Sequence, residues 1–410
     1  MIGYGSVHFG KSLLWAGEDA LTLYILVRFL DLPPALAGTM FLASALWNAL
    51  CDGLFGVSLH RWPSIRRALP LLTGVAILAS GIGFAILPLI EKGQAVPAIA
   101  LLFLFRTGFS LLDVPHNALT RRLAETKGDL GAAQVRAAVA SAAAIVIGLV
   151  SFPVLLAGTN GGRLAPMLVA AIGLVAIVCM APLPQLLARD TDGTEQVTQA
   201  EASRPAPLSL WIYCAATAMG LAGLAAAGKA MLHLDFGSST IFGAVLLVMT
   251  IGRLSAVWLW SPIARHIGNR PALVLAYAAS GLAALLIPTV AQWNAFMALP
   301  WLILFSLIGG GIAFLNWAVL SEIIGPTGTS QEPGRYAANF GLFTMSMKIG
   351  LGFSAAIAGV WLSSSPQPAG IAPSTFWPLG SFVMLACGVT AALLLTMRPE
   401  RPQADPLPSE

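Results

Sequence analysis

Charge is scarce in this chain. Asp, Glu, Lys and Arg make up only 10% of its 410 residues, against about 25% in a typical soluble protein, so a water-soluble globular domain is excluded. Cysteine is scarce too: Cys51, Cys179, Cys214 and Cys387 all fall in apolar runs with no CxxC pair, and neither a disulfide framework nor a metal site is expected. His8, His60, His116, His233 and His266 are scattered without ligand spacing. Gly-x-Ser-x-Gly and His-Glu-x-x-His are absent, which leaves a membrane enzyme without a nucleophile elbow or a metal set. The net charge is +4, yet the basic residues form no single patch, so no nucleic-acid partner is expected. The first ten residues lack the basic stretch of a cleavable signal, and the first apolar run carries Lys11, Glu18 and Asp19. That run is expected to stay as the first helix.

What the chain has in abundance is apolar length. Hydrophobic residues are 57% of the total and the mean hydropathy is +0.81, the composition of an all-α integral membrane protein in a lipid bilayer. Apolar runs broken by Pro, Gly or charge predict twelve spans, each able to cross a core about 30 Å thick. They cover 5–30, 35–59, 68–90, 95–119, 133–158, 164–187, 207–230, 236–261, 271–291, 295–320, 335–363 and 373–397. Arg61, Arg66, Arg67, Arg121, Arg122, Lys127, Arg189, Arg204, Arg265, Arg270, Arg398 and Arg401 fall in the even-numbered loops and the tail, while the odd loops hold little beyond Lys92 and Arg163. By the positive-inside rule, both termini are expected in the cytoplasm.

The long polar stretch from Leu187 to Pro207 divides the spans six and six. This gives a first bundle over 1–187, a cytoplasmic linker over 188–206, a second bundle over 207–397 and a tail over 398–410. The halves echo each other. Asn117-Ala118-Leu119 is followed by Arg136, and Trp317-Ala318-Val319 by Arg335, at separations of 19 and 18 residues. The loop at 60–67 likewise matches that at 265–271. Two six-helix halves around a midplane cavity are the architecture expected for alternating-access transporters.

Polar residues inside the spans mark the place to look for function, because an ionised side chain at that depth is costly unless it faces a partner or a cavity. Span 1 carries Lys11, Ser12, Glu18 and Asp19; span 2 Asn48 and Asp52; span 4 Arg106, Ser110 and Asp113; span 8 Arg253; and span 11 Lys348. Asp52, Asp113 and Arg253 lie at similar depth, about 10, 9 and 12 Å from the basic ends of their spans at 1.5 Å per residue. Ser110 shares a helical face with Asp113, and Asn48 with Asp52. These four offer oxygens to a small cation or a proton, with Lys348 as counter-charge. Arg106 is the bland partner for Asp113, two turns earlier. Arg253 and Lys11 are read as snorkelling or neutralising acids, and of the adjacent Glu18 and Asp19 only one can point inwards. Trp15, Trp47, Trp258, Trp260 and Trp317 are read as packing or interfacial residues that could also stack on a ligand.

In these residues the chain resembles the glycoside, pentoside and hexuronide:cation symporters of the major facilitator superfamily. Tyr4-Gly5 and Phe9-Gly10-Lys11 match that family's opening, and 47–56 (WNALCDGLFG) its motif W-D-A-x-x-D-P-x-x-G. Asp113-Val114-Pro115 matches D-x-P, Arg136 the helix 5 arginine, 317–322 the acidic end of helix 10, and Lys348 the helix 11 lysine. The resemblance implies a twelve-helix fold of two pseudo-symmetric six-helix bundles. It also implies a cation site at Asp52, Ser110 and Asp113 with Lys348 near it, and a role for Arg136 in holding the substrate; Asn48 joins the candidate cation site by its place beside Asp52, and Ser12, Glu18, Trp317, His116 and Asn117 complete the candidate substrate site. Two departures stand out: Asn48 replaces an acid of the cation site, and Ser12 replaces one that contacts sugar.

The expectation is a cation-coupled secondary transporter of a small organic solute in a bacterial inner membrane, acting as a monomer without cofactors. Proton coupling is favoured over sodium, which would sit at Asp52 and Asp113, because a site with one carboxylate fewer is already near neutral beside Lys348. The rival substrate class is an amphiphile such as a drug, siderophore or lysolipid. A non-transporting sensor or a membrane enzyme is the reading from another class.

Overall fold

The computed structural model describes residues 2–157, 164–191, 206–231, 239–290, 293, 295–324, 333–363 and 376–397. Among these residues the secondary structure is entirely helical. The first bundle contains α1 (Ile2–Tyr24), α2 (Pro34–Arg61), α3 (Pro63–Ile86), α4 (Ala95–Ala118), α5 (Thr120–Ala157), α6 (Leu164–Met180) and the short α7 (Leu183–Thr191). The second contains α8 (Leu208–Met231), α9 (Ser239–Ile267), α10 (Asn269–Ala284), α11 (Ile287–Val290), α12 (Ala295–Ile324), α13 (Pro333–Ser363) and α14 (Phe376–Thr396). Spans 6 and 9 each appear as two pieces, α6 with α7 and α10 with α11, so twelve crossings remain. Most of the predicted linker and the whole tail lie outside the described residues.

Nine of these helices are long and apolar enough to cross a membrane by length and composition alone. The first helix falls short of that criterion because Lys11, Glu18 and Asp19 crowd into its length, and α10 because it has 16 residues. Lipid-facing surface is plain along α3, where Leu71, Val75, Leu78 and Ile82 recur at helical spacing and are 40–73% exposed. The opposite faces carry the two cores. One gathers Leu13, Phe84, Phe105 and Phe109, the other Tyr213, Tyr277, Phe314 and Phe343.

The largest departure from the predicted boundaries is at α5. Expected from 133, it begins at Thr120, one residue after α4, and turns at Gly128, whose φ of 73° is accessible without strain only to glycine. Charged residues at 121–129 hid this segment from a reading based on hydropathy. Two other turns repeat between bundles. Trp62 alone separates α2 from α3, and Gly268 alone separates α9 from α10, so the matching loops seen in sequence are matching single-residue breaks.

The bundles meet along a seam where α2 packs on α13, and α5 packs on α9 and α12. Without a hydrophobic force between helices in lipid, such contacts rely on small residues that let backbones approach. A Cβ on Gly341 would lie 2.8 Å from the Asp52 carbonyl and 3.1 Å from the Gly56 Cα. Nearer the basic end, the Gln134 side-chain amide donates to Ser261 Oγ at 2.9 Å. Gly341→Ala is therefore expected to wedge α13 from α2 at a cost of about 1–3 kcal/mol. Gly309→Ala, where the added methyl meets nothing within 4 Å, should leave the thermal midpoint of the detergent-solubilised protein unchanged; equal midpoints for the two variants would refute this close packing.

Candidate functional site

Five charged side chains meet where α1, α2, α4, α5 and α13 converge. Lys348, on α13, reaches into the first bundle and places its Nζ 2.6 and 2.7 Å from the two carboxylate oxygens of Asp52 and 3.4 Å from Asp113 Oδ2. It also donates to Asn48 Oδ1 at 3.0 Å, which accepts a second hydrogen bond from Ser110 Oγ at 2.7 Å. All five residues expected at the cation site are brought together. Phe109 and Trp15 flank the ammonium, with ring centres 5.1 and 5.7 Å from Nζ.

Lys11 closes the arrangement from α1. Its Nζ lies 2.7 Å from Asp113 Oδ1 and 2.6 Å from Asn117 Oδ1, so Asp113 sits between two ammonium groups. The two carboxylates, buried to 0 and 5% exposure, are balanced by two lysines before any cation binds. Burying such ions is tolerated only because each is paired and hydrogen-bonded. Lys11 was read from sequence as a snorkelling residue or a generic counter-charge, since α1 and α4 are 102 residues apart at this contact and no spacing rule links them.

Asn117 relays this network to Arg136. Its amide donates to Asp113 Oδ1 at 2.9 Å, one turn away, while Oδ1 accepts from Arg136 at 3.0 Å. Arg136 also donates to Thr120 Oγ1 at 2.7 Å and to Tyr4 Oη at 3.0 Å. Trp317, on α12 of the second bundle, has its ring centre 3.8 Å from the guanidinium carbon of Arg136. His116 stacks on Tyr4 at 4.7 Å and on His8 at 5.5 Å, and Tyr4 and His8 are themselves 6.0 Å apart, so the three rings form a triangular cluster. The histidines described as scattered in sequence thus include a pair that folding unites, through i,i+4 spacing of Tyr4 and His8 on α1.

Several expectations are corrected. Arg106 pairs with Glu18, both buried, rather than with Asp113; the i,i+7 geometry placed it on the right face but too far towards the other end. Glu18 is thereby occupied within its own bundle, while Asp19 points to the second bundle and meets Lys229 Nζ at 3.1 Å. Arg253 is exposed on α9 and takes no part in the Asp52–Asp113 network, because equal depth in the membrane does not imply the same side of a helix. Ser12 is buried beside Lys11 in sequence but stands outside these contacts. Trp47 and Trp258 are exposed, in keeping with packing against lipid, whereas Trp260 is buried and donates to the Leu307 carbonyl. The side chain of Arg335 lies outside the described residues. Between the bundles, Trp15, Glu18, Asp19, Phe41, Arg106 and Lys348 line a narrow cleft of about 10 Å³, room for about one water.

Residues 3–398 match the family described as MFS/sugar transport protein. The chain belongs to this family. It is a multi-pass membrane transporter of the major facilitator superfamily and not an enzyme. Solved structures agree in fold. A bacterial homologue of the iron transporter ferroportin in the outward-facing state aligns with a TM-score of 0.70 at 13% identity, over 96% of this chain and 98% of that one. The E.coli fucose:proton symporter FucP aligns at 0.62 and 14% identity over 96% and 97%, and the nucleoside transporter NupG at 0.63 and 14% over 97% and 99%. No curated protein matches the chain.

Removing Lys348 should strand Asp52 as a buried unpaired charge, a cost on the order of 3–5 kcal/mol. Lys348→Met is expected to lower the thermal midpoint strongly, and the double variant Asp52→Asn with Lys348→Met to recover most of the loss. Additive effects in that double-mutant cycle would show that the two side chains do not interact.

Proposed function

We propose that this transporter couples a proton to the uptake of a small organic solute, with Asp52 and Asp113 as the coupling acids and Lys348 as the group the proton displaces. The observation that carries this reading is that Lys348 bridges both acids across the seam between bundles. When a proton neutralises one carboxylate, the attraction holding α13 to α2 and α4 weakens, and the bundles are released to rock about the solute. A ligand can shift such an equilibrium only through a difference in its affinity for the two states. Here that difference is supplied by an ion pair that exists in one arrangement of the bundles and is lost in another.

The same geometry favours H⁺ over Na⁺. Sodium needs several free oxygens and surplus negative charge, but Asn48 Oδ1 already accepts two hydrogen bonds and the acids already face Lys11 and Lys348. A proton needs one carboxylate oxygen. The basic end of the bundles, with Arg61, Arg66, Arg67 and Arg265, is assigned to the cytoplasm of a bacterial inner membrane by the positive-inside rule.

Two measurements follow. Asp113→Asn is expected to insert normally yet lose concentrative uptake; accumulation at the parental level would remove Asp113 from the coupling site. In vesicles, an imposed pH gradient without sodium is expected to drive accumulation, whereas a sodium gradient at equal pH is not. Accumulation driven only by sodium would reverse the choice of ion and make Asn48 an oxygen ligand. An amphiphilic substrate would show itself in the same assay by transport of lysolipids or drugs in preference to small polar solutes.

A further inference from the structure

The cleft between the bundles continues the coupling cluster away from the basic end. Glu18 and Arg106 lie seven residues beyond Lys11 and Asp113 on α1 and α4, or about 10 Å of helix axis. The two pairs therefore stack two turns apart on one interface, with acid and cation exchanged between the helices. Lys348 lines the same cleft from α13, and Asp19 carries it to the surface, where its partly exposed side chain meets Lys229 of α8. The space for one water is bordered by four charged side chains, as many polar partners as a buried water uses. One of them holds a spare donor: Arg106 is 2% exposed, and among the described residues its Nε meets no hydrogen-bond acceptor. On the opposite side of Asp113 the seam is bridged by Gln134 on Ser261 and by Trp317 against Arg136.

We propose that the cleft holds a relay water and that Glu18 is the proton's entry station, passing it through that water to Lys348 and on to Asp52. This deepens the proton-coupled reading and rests on it. The steps balance without a further reactant. A proton from the medium forms an O–H bond on the Glu18 carboxylate, which loosens its pair with Arg106. The Lys348 ammonium gives one N–H proton to the Asp52 carboxylate at 2.6 Å; the water replaces that proton on Nζ, and Glu18 replaces the water's. One proton has then moved from Glu18 to Asp52, while Glu18 is again a carboxylate and Lys348 again an ammonium. Such transfer needs hydrogen-bond reach or one intervening water, and chains of ionisable groups serve as proton relays inside membranes. The charged groups around Glu18 are Arg106 from α4, Asp19 beside it and Lys229 from α8, with Lys348 across the cleft and Arg253 of α9 acting on Asp19. Arg106 draws the proton off Glu18 after each transfer, because a buried guanidinium needs its counter-charge.

The test needs no solute, since the probe is the proton itself. Purified full-length protein in lipid nanodiscs is rapidly acidified, and time-resolved infrared spectroscopy follows the C=O stretching band of protonated carboxyl groups. The part of that band lost in Asp52→Asn and Asp113→Asn belongs to the coupling pair. Glu18→Gln is expected to slow its rise by about tenfold or more while leaving its final amplitude unchanged, and Glu18→Asp, which keeps a carboxyl group, to slow it less. The double variant Glu18→Gln with Arg106→Gln removes both buried charges together and is expected to show the same slowing, so a fold lost in the single variant does not decide the outcome. An unchanged rate in the Glu18→Gln variants overturns the relay, and so does a reduced final amplitude, which would make Glu18 a determinant of the equilibrium and not of the route. A parent whose coupling pair takes up no proton fails the coupling reading and the relay with it; a pair that protonates at a rate indifferent to Glu18 keeps that reading and loses only the relay.

Discussion

One lysine crossing between two bundles organises this membrane protein. Lys348 leaves α13, passes between Trp15 and Phe109, and ends on Asp52 and Asp113 in the other bundle. Burying these three charges is tolerable only while they remain together, so the position of α13 against α2 and the ionisation of the acids are a single variable. Small residues make that approach possible. Gly56 and Gly341 bring the backbones close enough for the lysine to reach, which is why the packing of the seam and the chemistry of the site cannot be separated.

Other contacts along the seam follow from this placement. Towards the basic end Gln134 meets Ser261, and Trp317 lies over Arg136; at the other end Asp19 meets Lys229 with both side chains partly exposed. The last pair is weak, as partly hydrated ion pairs generally are, whereas the Lys348 cluster is buried. Arg136 lies one asparagine away from Asp113: Asn117 hydrogen-bonds both Asp113 and Arg136.

Hydropathy made the twelve crossings legible, since lipid imposes a length and a polarity that few other folds require. It missed the start of α5, where Arg121, Arg122, Lys127 and Asp129 look like a loop but form helix on both sides of Gly128. Within the site, Asp52 with Asn48 and Asp113 with Ser110 could be placed from helical spacing, and Lys348 as their counter-charge from its place as a cation inside a span of the other half. The partners of Lys11, Arg106 and Arg253 could not. Depth along a helix can be read from residue counts, but the direction a side chain faces depends on which helix packs beside it, and nothing in the spacing of α1 announces α4. The meeting of His8 with His116 belongs to the same class of long-range fact.

The most direct test of the central claim is the distance between the bundles when the lysine bridge is cut. Spin labels at Arg67→Cys on α3 and His266→Cys on α9, both exposed positions, in a background with the four native cysteines replaced, report that distance by double electron–electron resonance. The account predicts that Lys348→Ala adds a longer-distance population absent from the parent. An unchanged distance distribution in a folded Lys348→Ala protein would contradict it, and the seam would then be held by helix packing alone.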